Sequence, residues 1–129
     1  MENLEIIEAA AEAAREKKAE EIVALDLRGL SSIADYFLIC GGSNPRQVAA
    51  IAEGIEAALR RSGCRPLRTE GLSEARWVVM DFGGVLVHVF HRESREYYSL
   101  ESLWGDAGRL DCGGLEDPPR AGLQEGEGG

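Results

Sequence analysis

Residues 77–90 read WVVMDFGGVLVHVF, two strand-like apolar runs joined by Gly83-Gly84. Paired glycines between β-branched and aromatic residues are the pattern of a two-residue hairpin turn, so strands are expected over 77–82 and 85–90. Side chains alternate along a strand, and this turn sets Phe82 opposite Val85, Met80 opposite Val87 and Val78 opposite Val89 on one wholly apolar face. The other face carries Asp81 opposite Leu86, Val79 opposite His88 and Trp77 opposite Phe90. Such a mixture admits two readings. Helices cover this face too, with Trp77 and Phe90 as core and His88 as a satisfied structural histidine; or it is a partner surface, with aromatic anchors and a carboxylate for a basic residue.

Upstream of the hairpin, Asn44 caps a second helix, Pro45 suits its first position and Gln47 stands three residues after the cap, as in a capping box. Its inward face is Val48, Ile51, Ala52, Ile55 and Leu59, and it ends near Ser62, where Arg60, Arg61 and Gly63 suit a helix C-terminus. A first amphipathic helix is expected over 4–18 from Leu4, Ile7, Ala11 and Ala14. Between the helices, 22–27 and 36–40 read as neighbouring strands joined through the turn-like residues 28–32. A linker with Pro66 has room for one more short strand. Beyond the hairpin a last helix is expected over 94–104, whose Tyr97, Tyr98, Glu101 and Trp104 are either helix core or a continuation of the partner surface. This order predicts an α/β domain with a mixed β-sheet flanked by helices.

The chain has 129 residues, 44% apolar and 29% charged, which suits one domain with one core. That domain is expected over 1–105. Residues 106–129, rich in Gly and Pro and poor in large apolar groups, are expected to be a disordered acidic tail. Residues 1–105 hold 17 acids against 12 bases and residues 106–129 hold 6 against 2, so the folded part is itself acidic. A net charge of −9 disfavours phosphate-driven nucleic-acid binding and fits basic protein partners. No apolar run is long enough to span a membrane, and the acidic start Met1-Glu2-Asn3 suits neither a secretory signal nor a transit peptide, so a cytoplasmic address is expected. Cys40, Cys64 and Cys112 lie in no metal-ligand spacing and are read as thiols.

No catalytic chemistry is well supported. Gly41-Gly42-Ser43 before a helix could cradle a phosphate, but it lacks the lysine of a P-loop and the spacing of a dinucleotide fingerprint, so a tight turn is the simpler reading. Nucleotidyltransferases carry a similar Gly-Ser turn, yet their two-metal chemistry needs paired carboxylates, and no Asp-x-Asp or Asp-x-Glu occurs here. His88 and His91 differ in strand parity and cannot share a metal. Ser31, Ser32 and Ser43 lie in no nucleophile elbow. The residues thus read as a binding module with no catalytic residue, metal or cofactor.

Several blocks in order resemble the ribosomal silencing factor family, Iojap or RsfS, over about residues 5–106. They are Ala24-Leu25-Asp26, Ser31-Ser32-Ile33-Ala34-Asp35-Tyr36-Phe37, Gly42-Ser43, Arg46-Gln47-Val48 and Ala50-Ile51-Ala52. Glu70-Gly71, Trp77, Asp81-Phe82-Gly83, Val87-His88-Val89-Phe90, Arg95, Tyr97-Tyr98, Leu100-Glu101 and Leu103-Trp104 complete them. The resemblance implies a fold like a reduced nucleotidyltransferase and a cytoplasmic translational repressor, not an enzyme. It implies that the protein binds large-subunit ribosomal protein fourteen, blocks joining of the small subunit and lowers translation when nutrients are scarce.

With the family in view the mixed face is expected to be the partner surface: Trp77, Val79, Asp81 and His88, joined by Tyr98, Glu101 and Trp104. Trp77 would be the anchor and Asp81 the ion-pair partner. The family also suggests a homodimer through the same face. The rival expectation is a residual nucleotide-binding or nucleotidyl-transferring enzyme centred on Gly42, Ser43, Asp35 and Asp81. The chain departs from the pattern of the family it resembles in two respects: the family usually has Gly-Asp in the hairpin turn where Gly83-Gly84 stand here, and the tail after Asp106 runs longer than the family pattern.

Overall fold

Strand β2, Tyr36–Gly42, is buried along its whole length. Only a strand covered on both faces can be apolar throughout, so β2 belongs at the middle of the sheet. In the computed structural model, which describes residues 1–93 and the pair Gly108–Arg109, that is its place. The expected helix over 94–104 and the tail beyond it, apart from that pair, lie outside the described residues.

The chain runs α1 (Asn3–Glu16), β1 (Glu20–Asp26), β2, α2 (Pro45–Arg61), β3 (Arg68–Glu70), β4 (Trp77–Asp81), β5 (Val85–His91) and β6 (Gly108–Arg109). The strands form one mixed sheet in the order β3-β4-β5-β2-β1-β6. β1 and β2 are antiparallel neighbours, as expected, with an irregularity in register between Glu20 and Val23. β2 and β5 are parallel, Tyr36 opposite Val85 and Gly42 opposite His91, because α2 carries the chain back along the sheet between them. β6 pairs with the end of β1 inside the stretch whose composition reads as tail.

The hairpin forms in the expected register. Trp77 stands opposite Phe90, Val78 opposite Val89, Val79 opposite His88, Met80 opposite Val87 and Asp81 opposite Leu86. The Phe82 N–H donates to the Val85 carbonyl at 2.9 Å across the turn. Gly83, first of the two turn residues, has φ of 93°, the left-handed backbone that a II′ turn asks of glycine there.

Both helices pack on one face of the sheet. Val78, Met80, Phe82, Val85, Val87 and Val89 of the hairpin join Leu38, Cys40 and the inward side chains of α1 and α2 in the main core. In α2 the buried residues are Val48, Ile51, Ala52, Ile55 and Leu59, the face that periodicity predicts. In α1 the buried arc is rotated from the expected one: Ile6, Ala10 and Ala13 join Ile7, Ala11 and Ala14, while Leu4 is 49% exposed. Leu4 sits at the edge of that arc, in the first turn of the helix.

Asn44 Oδ1 accepts the Gln47 N–H at 2.9 Å, so the expected N-cap is present. Gln47 does not complete a capping box with Asn44. Its Oε1 accepts the N–H and Oγ–H of Ser43, at 2.7 and 2.8 Å, and its Nε2 donates to the carbonyls of Lys17 and Lys18 beyond α1. At the other end, Gly63 N–H to Arg60 and Cys64 N–H to Leu59 close α2 as a Schellman motif, with Gly63 at φ of 83°. Cys40 is buried and Cys64 half-buried, and Cys112 lies outside the described residues.

Candidate partner-binding site

The sheet face turned away from the helices carries a second apolar cluster. Val23, Leu25, Leu27, Ala34, Phe37, Ile39 and Phe90 are buried in it, with Trp77 and Leu86 packed at its margin. The mixed hairpin face is therefore graded rather than uniform. Phe90 is fully buried and His88 is 5% exposed, whereas Trp77, Val79 and Asp81, on strand β4, are half-buried. His88 and Phe90 of β5 are buried, Leu86 at its turn end is half-buried, and all three β4 residues on this face are half-buried, with only the three-residue β3 beyond them.

The aromatic rings make one connected group. Trp77 stacks on Phe90 with centroids 5.1 Å apart, and His88 lies 4.5 Å from Phe37 and 6.1 Å from Phe90. The Trp77 indole N–H donates to His88 Nδ1 at 3.0 Å. Burial holds the His88 pKa well below its ordinary value, at about 4, so the ring is neutral at neutral pH. Since Nδ1 accepts, the proton resides on Nε2, and this buried N–H has no hydrogen-bond partner among the described residues.

Asp81 ends β4 beside the turn. Its Oδ1 accepts the Gly83 N–H at 2.8 Å, its carbonyl accepts the Leu67 N–H, and it forms no ion pair among the described residues. The structure thus brings Trp77, Val79, Asp81 and His88 onto one face, as the hairpin register requires. Tyr98, Glu101 and Trp104 lie outside the described residues. Phe37 is the member of the group that the sequence reading left out. Its signal was available in the alternation of β2, which turns Phe37 and Ile39 toward the face opposite Tyr36, Leu38 and Cys40.

The rival nucleotide constellation is not assembled. Asp35 and Asp81 lie at the hairpin-turn end of the sheet, where the Gly84 carbonyl accepts the Asp35 N–H at 2.9 Å. Gly42 and Ser43 lie at the other end of β2, about 20 Å away at the usual strand rise of about 3.3 Å per residue. Ser43 is engaged with Gln47. Among the described residues, no three His, Cys, Asp or Glu side chains gather in a way that could hold a metal ion, and no helix is long and apolar enough to cross a membrane.

Fold and site together define a small α/β protein with a helix-covered sheet face and an opposite face graded from buried aromatics to half-open Trp77 and Asp81. The family model for the ribosomal silencing factor during starvation, RsfS, matches residues 1–127. The chain belongs to this family. It is 47% identical over 115 residues to the ribosomal silencing factor RsfS of Halalkalibacterium halodurans, covering 89% of this chain and 98% of the relative. It is 50% identical over 111 residues to that of Bacillus subtilis, covering 86% and 94%. A crystal structure of a Chromobacterium violaceum protein, 34% identical, superposes with a TM-score of 0.79 over 92% of this chain and 98% of that one. A Bacillus halodurans structure, 43% identical, gives 0.75 over 84% and 99%.

Proposed function

We propose that this protein is a translational repressor of the cytoplasm that binds large-subunit ribosomal protein fourteen and thereby keeps the small ribosomal subunit from joining. The observation that carries the reading is the half-open edge of the hairpin, where Trp77, Val79 and Asp81 stand together and Asp81 forms no ion pair among the described residues. Interface centres favour aromatic anchors, and an acidic domain attracts a basic ribosomal protein while disfavouring the approach of ribosomal RNA. Trp77 acts as the anchor and Asp81 as the ion-pair partner, with Val79 between them and His88, Tyr98, Glu101 and Trp104 extending the contact. No turnover is needed: the bound domain excludes the small subunit by its volume for as long as it stays in place. Self-association through the same face would compete with ribosome binding.

The test is co-sedimentation of the protein with isolated large and small subunits, followed by light scattering as the subunits are mixed. Binding to the large subunit alone, with slowed joining, is expected. Binding to neither subunit would overturn the reading, and saturable magnesium-dependent nucleotide binding would favour the rival one.

A further inference from the structure

A buried polar group without a partner calls for a reason, since it loses its hydrogen bonds to water and regains none. His88 is such a group. It packs like a phenylalanine, with Phe37 at 4.5 Å and Phe90 at 6.1 Å between ring centroids. Its Nε2–H is buried and finds no hydrogen-bond acceptor among the described residues. A phenylalanine at this position would keep the ring packing and carry no buried N–H of its own to satisfy. What a phenylalanine cannot supply is a lone pair, and the lone pair on Nδ1 is in use: it accepts the Trp77 indole N–H at 3.0 Å.

We propose that His88 is the positioning residue for the Trp77 anchor, fixing the orientation of the indole through Nδ1 from beneath the partner surface without itself touching the partner. This rests on the functional reading above and changes one of its parts, since His88 moves from the contact to its support. Trp77 is the half-buried member of the group and His88 the buried one, 5% exposed, so a partner meets the indole first. The side chains are diagonal neighbours across the hairpin, on the same face, because Val79 is the residue directly opposite His88. The Phe90 ring, stacked on the indole at 5.1 Å, limits tilt about the ring plane, but stacking is indifferent to rotation within that plane. A directional N–H to Nδ1 bond supplies what stacking lacks. An anchor already held in its bound orientation loses less side-chain entropy when the partner arrives. The low proton affinity of the buried ring keeps the Nδ1 lone pair available throughout the neutral range.

Three measurements test this. The first reads the imidazole of the wild-type protein by nitrogen–proton NMR correlation: a proton on Nε2 and a bare Nδ1 are expected, and a proton on Nδ1 would overturn the proposal whatever the variants do. The second compares H88F with wild type, the indole resonance being read in a W104F background, where Trp77 is the remaining tryptophan, and the affinity in the protein that keeps Trp104. The indole N–H resonance should lose its hydrogen-bonded shift, circular dichroism and melting temperature should be kept, and affinity for isolated large subunits should fall about tenfold through the added cost of ordering the indole. A folded H88F that binds like wild type would overturn the proposal. The third is H88N, whose amide oxygen can stand where Nδ1 stands; recovery of both the indole shift and the affinity supports the proposal, and a folded H88N that recovers the shift but not the affinity overturns it. Should the wild-type protein itself fail to bind large subunits, the functional reading falls, while the tautomer and the indole resonance still decide whether His88 holds Trp77.

Discussion

The Asp81 carboxylate accepts the backbone N–H of Gly83 at 2.8 Å, tying the last residue of β4 to the first residue of the hairpin turn. One oxygen thus serves the fold, while the charge meets no cationic side chain among the described residues. Two substitutions separate these roles. Asp81→Asn keeps an oxygen for Gly83 and removes the charge, so it should fold normally and bind large subunits tenfold or more weakly, in line with about 1.5–3 kcal/mol for a charge-assisted contact. Asp81→Lys should abolish binding while circular dichroism still reports a folded domain. Co-sedimentation of either folded variant at the wild-type level would remove Asp81 from the interface.

Stability should depend on pH through His88. The folded protein holds this histidine at a pKa of about 4 against an ordinary value of 6.5. Between those values the unfolded chain binds a proton that the folded chain refuses, so stability is full above about pH 6.5 and declines as the pH falls toward 4. The shift corresponds to about 3 kcal/mol at its fullest. Urea unfolding of wild type and H88F at pH 7 and pH 4 should show the wild type losing more than the variant by about that amount. Equal losses would mean that the ring is protonated as easily in the folded protein as in the unfolded chain.

Gly71 and Gly84 should respond very differently to substitution. Gly71 has φ of 87°, and a Cβ there would run into the Trp77 carbonyl oxygen, backbone that β4 cannot move. Gly71→Ala should therefore cost about 3 kcal/mol or more and displace the strand that carries Trp77. At Gly84 the added carbon would meet the side-chain end of Asn3, which can swing aside. Gly84→Asp should change the unfolding midpoint little. A Gly84→Asp variant as damaged as Gly71→Ala would show that Asn3 is fixed.

Gln47 joins the start of α2 to the end of α1, accepting from Ser43 and donating to the carbonyls of Lys17 and Lys18. Gln47→Ala should cost about 1–2 kcal/mol, as several modest hydrogen bonds are lost together, and Asn44→Ala about 1 kcal/mol for the cap. The double variant should lose less than the sum, because both residues order the same turn. Strict additivity in denaturant unfolding would show that they act separately.

Local patterns were legible where neighbours in sequence are also neighbours in space. The Gly83-Gly84 turn, the register of Trp77 against Phe90 and the inward face of α2 depend on short-range geometry, and each formed as expected. Leu4 did not follow its periodicity into the core: spacing gives the width of an apolar stripe, but the partner surface selects which arc of it is covered. Gln47 matched a capping box in spacing, yet its amide reaches Lys18, 29 positions away in the chain, a choice that only the approach of α1 to α2 makes available.

The candidate site divides along the same line. Alternation through a two-residue turn was enough to put Trp77, Val79, Asp81 and His88 on one face, because the side-chain period of a strand leaves no other arrangement. Their unequal burial was not readable there. His88 and Phe90 stand on β5, between β2 and β4, while β4 has only short β3 beyond it, an ordering set by long-range strand pairing. The same pairing sends Asp35 and Asp81 to one end of the sheet and Gly42 and Ser43 to the other, and brings Phe37, from a strand distant in sequence, against His88. Alternation along each strand thus settled which side chains share a face, and the strand order, fixed by packing across the whole sheet, settled which residues distant in sequence meet on it.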